Sequence, residues 1–217
     1  MNDNTVELIG TYGGDETHAL SAWTSTSRDM TNEKRGRVKK LLTMLASNSH
    51  ETPFEKSSLH FLVTTEISSH IHILKHRIGV SVNAESARYK ELKDDKFYVP
   101  VDWDFDEQKL YVEHMEGCLK KYHETLERLV AKGMSRKRAK ESARLYIPYG
   151  NKMSADVMFN FRSFVHFLKL RYSMHAQLEI RNIARKMLEQ TIAQWDFAMS
   201  LEAFGLTIDG RVREPFE

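Results

Sequence analysis

Residues 157–171 read VMFNFRSFVHFLKLR, and the prediction of the fold class starts from this stretch. Its first part, Val157–Phe161, is rich in apolar side chains, as a buried strand is. In the following segment, Arg162–Leu170, apolar residues that include Phe164 and Phe167 recur at helical spacing. A strand that runs directly into a helix predicts a fold that mixes α and β structure.

The rest of the chain adds more helix than strand. With four prolines and ten glycines in 217 residues, the chain is poor in turn residues, which favours long helices. Strands are predicted at Val6–Ile9 and Leu59–Thr65. Helices are predicted at about residues 32–47 after a Thr31 cap, 67–76, 104–132 before Gly133, 135–147 before Pro148, and 175–194. The prediction is therefore a helix-rich α+β protein.

Composition excludes several classes of protein. Hydrophobic residues make up 41% and charged residues 29%, an ordinary globular balance, and the net charge is only +2. That charge is too small to indicate nucleic acid or an acidic membrane as a partner. No apolar run is long enough for a membrane helix, and the N-terminal MNDNTVELIG predicts no signal peptide. Because Cys118 is the single cysteine, no internal disulfide is possible, and we expect a cytoplasmic protein.

Residues 49–55 read SHETPFE and lie where a helix gives way to a strand. Pro53 stiffens this turn, and His50, Thr52 and Glu55 surround it with hydrogen-bonding groups. For this stretch alone, a solvated turn after a helix is the simpler interpretation.

A basic triplet, Lys75-His76-Arg77, precedes Gly79 and the run SVNAESARY at residues 81–89. Backbone N–H groups, hydroxyls and guanidinium groups in such a segment can bind phosphate oxygens. The alternative is a basic helix end, in which lysine and arginine satisfy the last carbonyls.

A polar stripe borders the aromatic one in the helix after residue 161. Arg162 and His166 are four residues apart, as are Arg171, His175 and Glu179, so at helical spacing each set shares a face. Such a stripe suits a flat, partly apolar ligand. A surface ladder of i,i+4 ion pairs would give the same pattern.

Taken together, the segments HETPFE, KHR…SVNAESARY and FRSFVHFLKLRYSMHAQLEIR resemble the flavin-dependent thymidylate synthases. That family is marked by an Arg-His-Arg triplet, a serine several residues later, and then Arg-Tyr. The match runs from about His50 to Ala184 in the family's order and includes Ala143-Arg144 before Pro148. The resemblance implies a single domain over residues 1–217, helix-rich α+β with a small, mostly antiparallel sheet. It also implies a homotetramer with active sites shared between subunits.

The resemblance further implies ligands and the residues that bind them. The family binds FAD, dUMP and methylenetetrahydrofolate, and takes reducing equivalents from NADPH. By position, the residues implied to bind FAD are Thr52, Glu55, Lys75, His76, Arg77, Asn83, Asn160, Arg162 and His166. Those implied to bind the nucleotide are His72, Lys75, Ala84, Glu85, Ser86, Ala87, Arg88, Arg144 and Arg171. His50 and His175 match positions near the flavin and folate, and no residue is assigned to a metal.

The implied reaction transfers the methylene group to C5 of dUMP, with reduction by FADH2, to give dTMP. C5 of uracil is a poor nucleophile, and the cysteine-dependent thymidylate synthases activate it by adding a thiolate at C6. Here the only thiol, Cys118, lies in a charged helical segment away from every motif. Arg171 matches the family's activating arginine, so we expect it, with Arg144, to stabilise negative charge on the pyrimidine. Ser86 is expected to hydrogen-bond the nucleotide.

The chain departs from the family pattern around this pocket. Lys75 replaces the first arginine of the triplet, which keeps the charge but loses the bidentate fork. His72 stands where a glutamine is usual, and His166 where an asparagine is usual. The loop before the serine is one residue longer, with Ala84 at an expected glutamate and Glu85 next to it. These changes motivate an alternative: a hydroxymethylase that converts dUMP to 5-hydroxymethyl-dUMP, or an enzyme acting on another deoxypyrimidine nucleotide.

Two less favoured hypotheses belong to other classes. His72 and His76 are four apart on a predicted helix, with His70 nearby, a spacing that suits a zinc enzyme. The basic runs Lys34–Lys40 and Ser135–Lys140 are compatible with a nucleic-acid-binding protein, although both are more simply explained as exposed helix ends.

Overall fold

The strand-to-helix junction predicted near residue 161 is present in the computed structural model, which describes residues 3–86, 88, 89, 91 and 96–217. Helices dominate these residues. The α-helices are α1 (Asp15–Trp23), α2 (Asn32–Ser47), α3 (Ile67–Leu74), α4 (Phe105–Ala131), α5 (Arg136–Ala143), α6 (Phe161–Arg171), α7 (Leu178–Ile192) and α8 (Ala198–Ala203). Short 3₁₀ helices cover Thr52–Glu55, Arg144–Tyr146 and Trp195–Phe197.

The strands form two small sheets. They are β1 (Thr5–Tyr12), β2 (Ser58–Glu66), β3 (Val80–Ala84), β4 (Lys152–Asn160), β5 (Thr207–Ile208) and β6 (Arg211–Val212). The first four pair in the order β1-β2-β4-β3, while β5 and β6 form an antiparallel pair with Thr207 opposite Val212. The predicted helix-rich α+β fold with a small sheet is confirmed.

The chain forms two compact units. Unit 1 consists of Met1–Thr5, Thr64–Ile73 and Asn83–Ala155. Unit 2 consists of Val6–Val63, Leu74–Val82 and Asp156–Glu217.

Unit 1 is built around the packing of α4 on α5. Asp104 caps α4 by accepting a hydrogen bond from the N–H of Glu107, and Ser135 caps α5 in the same way. Between them the chain turns at Gly133, whose φ of 89° is left-handed. The apolar face of α4 buries Tyr122 and Leu126 against the small residues of α5. Its charged face remains exposed, as its amphipathic sequence predicts.

Unit 2 has an aromatic core beneath its part of the sheet. Phe61 of β2 stacks on Phe164 of α6, with ring centroids 5.6 Å apart, and Phe161 stacks on Phe197 at the same separation. All four rings are fully buried. Burying rings of this size stabilises the packing of α6.

The start of α6 fixes the loop that follows α3. Asn160 Oδ1 accepts from the N–H of Ser163, an N-cap, and Ser163 Oγ donates to the carbonyl of Ile78 at 2.6 Å. The N–H of Asn160 also donates to the carbonyl of Gly79. A Cβ on Gly79 would lie 2.2 Å from Asn160 Nδ2, and its φ is 65°, so this position requires glycine. The basic triplet is thereby held beside α6.

Some predicted elements differ from the structure. The helix predicted to His76 ends at Leu74, and Val80–Ala84 is a strand that was not predicted. The helix predicted from His175 begins at Leu178. Ser173 forms a β-bridge with Phe216, and residues 174 and 175 lie in a turn before the helix. Arg171, His175 and Glu179 therefore do not share a helix face. No helix formed by the described residues combines the length and apolarity that a bilayer crossing requires.

Candidate active site

A cavity of about 260 Å³ in unit 2, here called the cationic cavity, lies between the basic triplet and α6. Its polar lining comes from Lys75, His76, Arg77, Ser163, His166 and Arg171. No carboxylate is among its lining residues in the described part of the chain. Three cations and two imidazoles in one cavity favour an anionic ligand with an aromatic ring, such as a nucleotide or a phosphate-bearing cofactor.

Arg171 is the last residue of α6 and has an unusual environment for an arginine. Its Nε donates to Nε2 of His76 at 3.1 Å, and among the described residues no carboxylate lies within ion-pair distance of its guanidinium. Partial burial without such a partner lowers the pKa of Arg171 from its ordinary value. The guanidinium is thus held at one nitrogen, and no carboxylate of the described residues neutralises its charge.

His76 is buried and acts as the acceptor in this contact. Its ring packs edge-on against Phe167, with centroids 5.0 Å apart, and against His166 at 5.8 Å. Because Arg171 can only donate, Nε2 of His76 must carry a lone pair, which assigns the ring proton to Nδ1. The triplet histidine therefore orients the arginine.

A second cavity of about 310 Å³, here called the paired cavity, adjoins the same face of α6. Arg162 extends into it and is held by two carboxylates: its Nε lies 2.8 Å from Glu51 and its Nη1 lies 2.5 Å from Glu55. The hydrogen bond to Glu55, and then that to Glu51, raises the pKa of Arg162. Ile78 and His166 line both cavities. The structure thus brings the SHETPFE turn, the basic triplet and α6 together within unit 2.

A third cavity of about 540 Å³ lies along the strands of unit 2. Glu55, Gly79 and Asn160 line it together with Tyr12 and Lys56. Glu55 thus lines both this cavity and the paired one, and Asn160 connects it to the N-terminus of α6.

Unit 1 carries the remaining residues predicted to bind the nucleotide. Arg88 is exposed and forms a 2.9 Å ion pair with Glu141 of α5, which lowers the pKa of that carboxyl group. Ser86 Oγ accepts from the N–H of Arg88. The N–H of Glu85 donates to the carbonyl of Ser154, and the N–H of Ser154 donates to the side-chain carboxylate of Glu85.

The other predicted residues occupy varied positions. His72 is half-buried on α3, Ala84 ends β3, and Arg144 is exposed at the start of a 3₁₀ helix. Ala87 lies outside the described residues. His50, Thr52, Asn83 and His175 are exposed and are not among the residues that line the three cavities described above.

The sequence-based prediction missed three residues that shape the site. Glu51 was quoted within the SHETPFE turn without a role, although it stands four residues before Glu55 and contacts the same arginine. Ser163 and Ile78 line both cavities of α6. The exposed fraction of Ile78 is 87%, so it places an apolar side chain at the surface beside both cavities.

The described contacts give little support to the zinc-enzyme hypothesis or to a catalytic role for the lone cysteine. The helical premise of the zinc hypothesis is wrong, since α3 ends at Leu74 before His76, and no metal-binding cluster occurs among the described residues. Cys118 lies on α4, with its Sγ 3.6 Å from His114 Nε2, and is not among the residues lining the three cavities.

The two basic runs begin exposed helices, as expected. Thr31 caps the helix that holds the first run, and Lys34 binds Asp29 while Lys39 binds Glu202. In the second run, Arg136 binds two glutamates. Carboxylates therefore neutralise much of the charge that nucleic acid would need.

Sequence comparisons agree with the family that the sequence resembles. The family model for the thymidylate synthase complementing proteins matches residues 7–195. A flavin-dependent thymidylate synthase from Streptomyces coelicolor is 29% identical over an alignment of 236 positions, which covers 97% of this chain and 94% of that protein. The one from Clostridium tetani is 33% identical over 175 positions, covering 76% of this chain and 69% of that protein.

Solved structures show the same similarity. The UMP/dUMP methylase PolB from Streptomyces cacaoi, bound with 5-Br dUMP, matches with a TM-score of 0.73 and 27% identity, covering 94% of this chain and 95% of that one. Its complex with 5-Br UMP matches with a TM-score of 0.71, again at 27% identity, over 94% of each chain.

Proposed function

The chain belongs to the thymidylate synthase complementing protein family, the flavin-dependent thymidylate synthases, and on this premise we propose that it methylates C5 of dUMP to give dTMP. The methylene group comes from methylenetetrahydrofolate, and the reducing equivalents come from NADPH through FAD. No thiolate addition to the pyrimidine is part of the proposed reaction.

The environment of Arg171 is the observation that carries this proposal. Its guanidinium is partly buried, is oriented by His76 and has no carboxylate partner among the described residues. An arginine whose charge is already neutralised could add little to a ligand, whereas this one can stabilise negative charge that develops on the pyrimidine. Arg144 is proposed as the second cation that serves the ring.

The cationic and imidazole side chains that line the cavities of unit 2 suit the binding of FAD. Lys75 and Arg77 supply cations for its diphosphate, and the imidazole of His166 borders both cavities of α6. When bound, the flavin supplies hydride. The further residues proposed to hold it are Thr52, Glu55, His76, Asn83, Asn160 and Arg162, with His50 and His175 near the folate.

The residues proposed to contact the nucleotide are those that the family resemblance implies. Ser86 supplies a hydroxyl and Arg88 a guanidinium, while Arg171 faces the base. His72, Lys75, Ala84, Glu85 and Ala87 complete the proposed set. We assign the Lys75-His76-Arg77 triplet the place of the family's Arg-His-Arg, with a lysine as a point charge in place of a bidentate fork.

The proposal extends to assembly and location. We propose one functional domain over residues 1–217, because a single family model spans residues 7–195. A homotetramer in which another subunit completes each site is proposed on the family resemblance. The lone cysteine supports a cytoplasmic location.

The test combines a spectrum with a product mass. Purified protein should show the absorption of oxidised flavin, bound or after adding FAD. With dUMP, methylenetetrahydrofolate and NADPH, the product should have the mass of dTMP. A 5-hydroxymethyl product, or turnover only with another deoxypyrimidine nucleotide, would replace the proposal with the alternative that the departures at positions 72, 75, 84 and 166 motivate. A protein that binds neither flavin nor dUMP would refute both.

A further inference from the structure

A buried chain of hydrogen bonds in unit 2 lies behind the SHETPFE turn and has no assigned role. His18 of α1 is fully buried, with Nδ1 2.8 Å from Ser200 Oγ and Nε2 2.6 Å from Ser57 Oγ. Ser200 Oγ lies 2.5 Å from Asp15 Oδ1. Asp15, Ser57 and Ser200 are themselves buried, and Ser57 also lines the third cavity.

The direction of each proton in this chain follows from Asp15. Its carboxylate accepts from the backbone N–H groups of Met199 and Ser200, both at 2.8 Å, and backbone amides can only donate. The Ser200 hydroxyl therefore gives its proton to Asp15 and accepts from His18 Nδ1–H. With Nδ1 protonated and the ring neutral, Nε2 accepts from the Ser57 hydroxyl. Burial lowers the pKa of His18 to about 3, in keeping with a neutral ring.

The ring of His18 also packs against the turn of residues 51–57. Phe54 packs edge-on against His18 with centroids 5.1 Å apart, and is fully buried. Phe54 and Ser57 stand on either side of Glu55, whose carboxylate holds Arg162 together with that of Glu51. The imidazole thus fixes the turn at two points, and the turn fixes the arginine.

We propose that His18 is a positioning residue for the flavin site: oriented by Asp15 and Ser200, it holds the turn of residues 51–57 in the one placement that presents Glu51 and Glu55 to Arg162. The inference rests on the proposed function, because it takes Arg162 and Glu55 as flavin contacts. An apolar side chain of similar size could pack against Phe54 but could not receive the Ser57 hydroxyl.

Flavin titration of paired variants tests this role. Ser57→Ala removes the hydroxyl that donates to His18. Thr191→Val is its control, since Thr191 is equally buried but donates only to Met187 of its own helix. Both variants lose one buried hydrogen bond, so we expect similar falls in melting temperature. Only Ser57→Ala should weaken FAD binding, by about fivefold to tenfold, the effect of one hydrogen bond transmitted to the site. Equal FAD affinity in parent and both variants would overturn the proposal.

Two further measurements keep the inference separable from the proposed function. Because Ser57 also lines the third cavity, Ser200→Ala must weaken FAD binding as well, since it removes the acceptor of His18 Nδ1–H and Ser200 lines none of the three cavities. The same variant replaces Ser57→Ala if that protein does not fold. Nitrogen-15 NMR of the parent protein should show His18 as the Nδ1–H tautomer, and an Nε2–H tautomer would contradict the hydrogen-bond chain. A parent protein that binds no FAD refutes the proposed function, whereas a parent that binds FAD as tightly as Ser57→Ala refutes only the role of His18.

Discussion

Replacing Arg171 with alanine removes a guanidinium that contacts one neutral acceptor and, among the described residues, no carboxylate. The variant therefore leaves no buried anion unpaired. Its cost to the free energy of unfolding is that of a single hydrogen bond to His76, about 1 kcal/mol. Breaking a buried ion pair would instead cost about 3–5 kcal/mol. We expect the Arg171→Ala protein to fold with a melting temperature close to that of the parent.

The effect on catalysis should be far larger. A single donor that stabilises charge in the transition state contributes about 2.7–4 kcal/mol, equivalent to a loss of about 10²–10³ in kcat. Arg171→Lys keeps the charge but loses the Nε–H that binds His76, so its rate should lie between those of parent and alanine variant. Arg171→Ala should therefore lose most of its rate while keeping most of its stability, a combination that partial unfolding would not produce.

The assay is single-turnover formation of dTMP by enzyme whose flavin has been reduced beforehand, with dUMP and methylenetetrahydrofolate saturating. Arg185→Ala is the control, because Arg185 pairs only with Glu189 on the surface of α7 among the described residues. It should match the parent in both rate and melting temperature. If Arg171→Ala retains more than about a third of the parental rate, the arginine does not stabilise the reacting pyrimidine.

Three further outcomes follow from particular contacts. Gly79→Ala should lower the free energy of unfolding, measured in urea, by more than about 1 kcal/mol, because strain at positive φ adds to a clash with Asn160. Gly133 also has a positive φ but open space around it, so Gly133→Ala should lose less stability, and equal losses in the two variants would exclude the clash. His18 should make the free energy of unfolding fall as the pH is lowered from 6.5 towards 3, by up to about 1.4 kcal/mol per pH unit, because its ring binds a proton in the unfolded chain but, with a pKa of about 3, not in the folded protein. If His18→Gln shows the same dependence of stability on pH as the parent, this expectation is wrong. Cys118→Ser should retain parental dTMP formation, and its inactivity would restore a thiolate mechanism.

Local chemistry made several elements predictable from sequence. The helix α2 begins after Thr31 and α4 after Asp104, because short polar side chains satisfy the first free N–H groups of a helix. The helix-breaking Gly133 was equally visible. In contrast, β3 was not predicted, because Val80–Ala84 mixes small and polar residues and becomes a strand only by pairing with β4.

The candidate site was predictable in its residue types but not in its contacts. The spacing of Arg162 and His166 on one helix face is a local property and is confirmed by α6. The partnership of Arg162 with Glu51 spans 111 residues of sequence and follows no local pattern. His18 could not be predicted as a site residue, because no sequence pattern distinguishes a lone histidine in a short helix. Its role follows only from its contacts with Ser57 and Ser200 in the folded chain.

The amino-acid sequence alone determined the helix-rich α+β class, the family and the motifs, because caps, periodicity and motif order depend on neighbours along the chain. Only the tertiary structure decided which charges neutralise one another. Among the described residues, Arg162 is paired with carboxylates and Arg171 is not, although both lie on the same helix, because the 51–55 turn reaches one end of α6 and His76 reaches the other. Coulomb interactions depend on distance in space and not on separation in sequence.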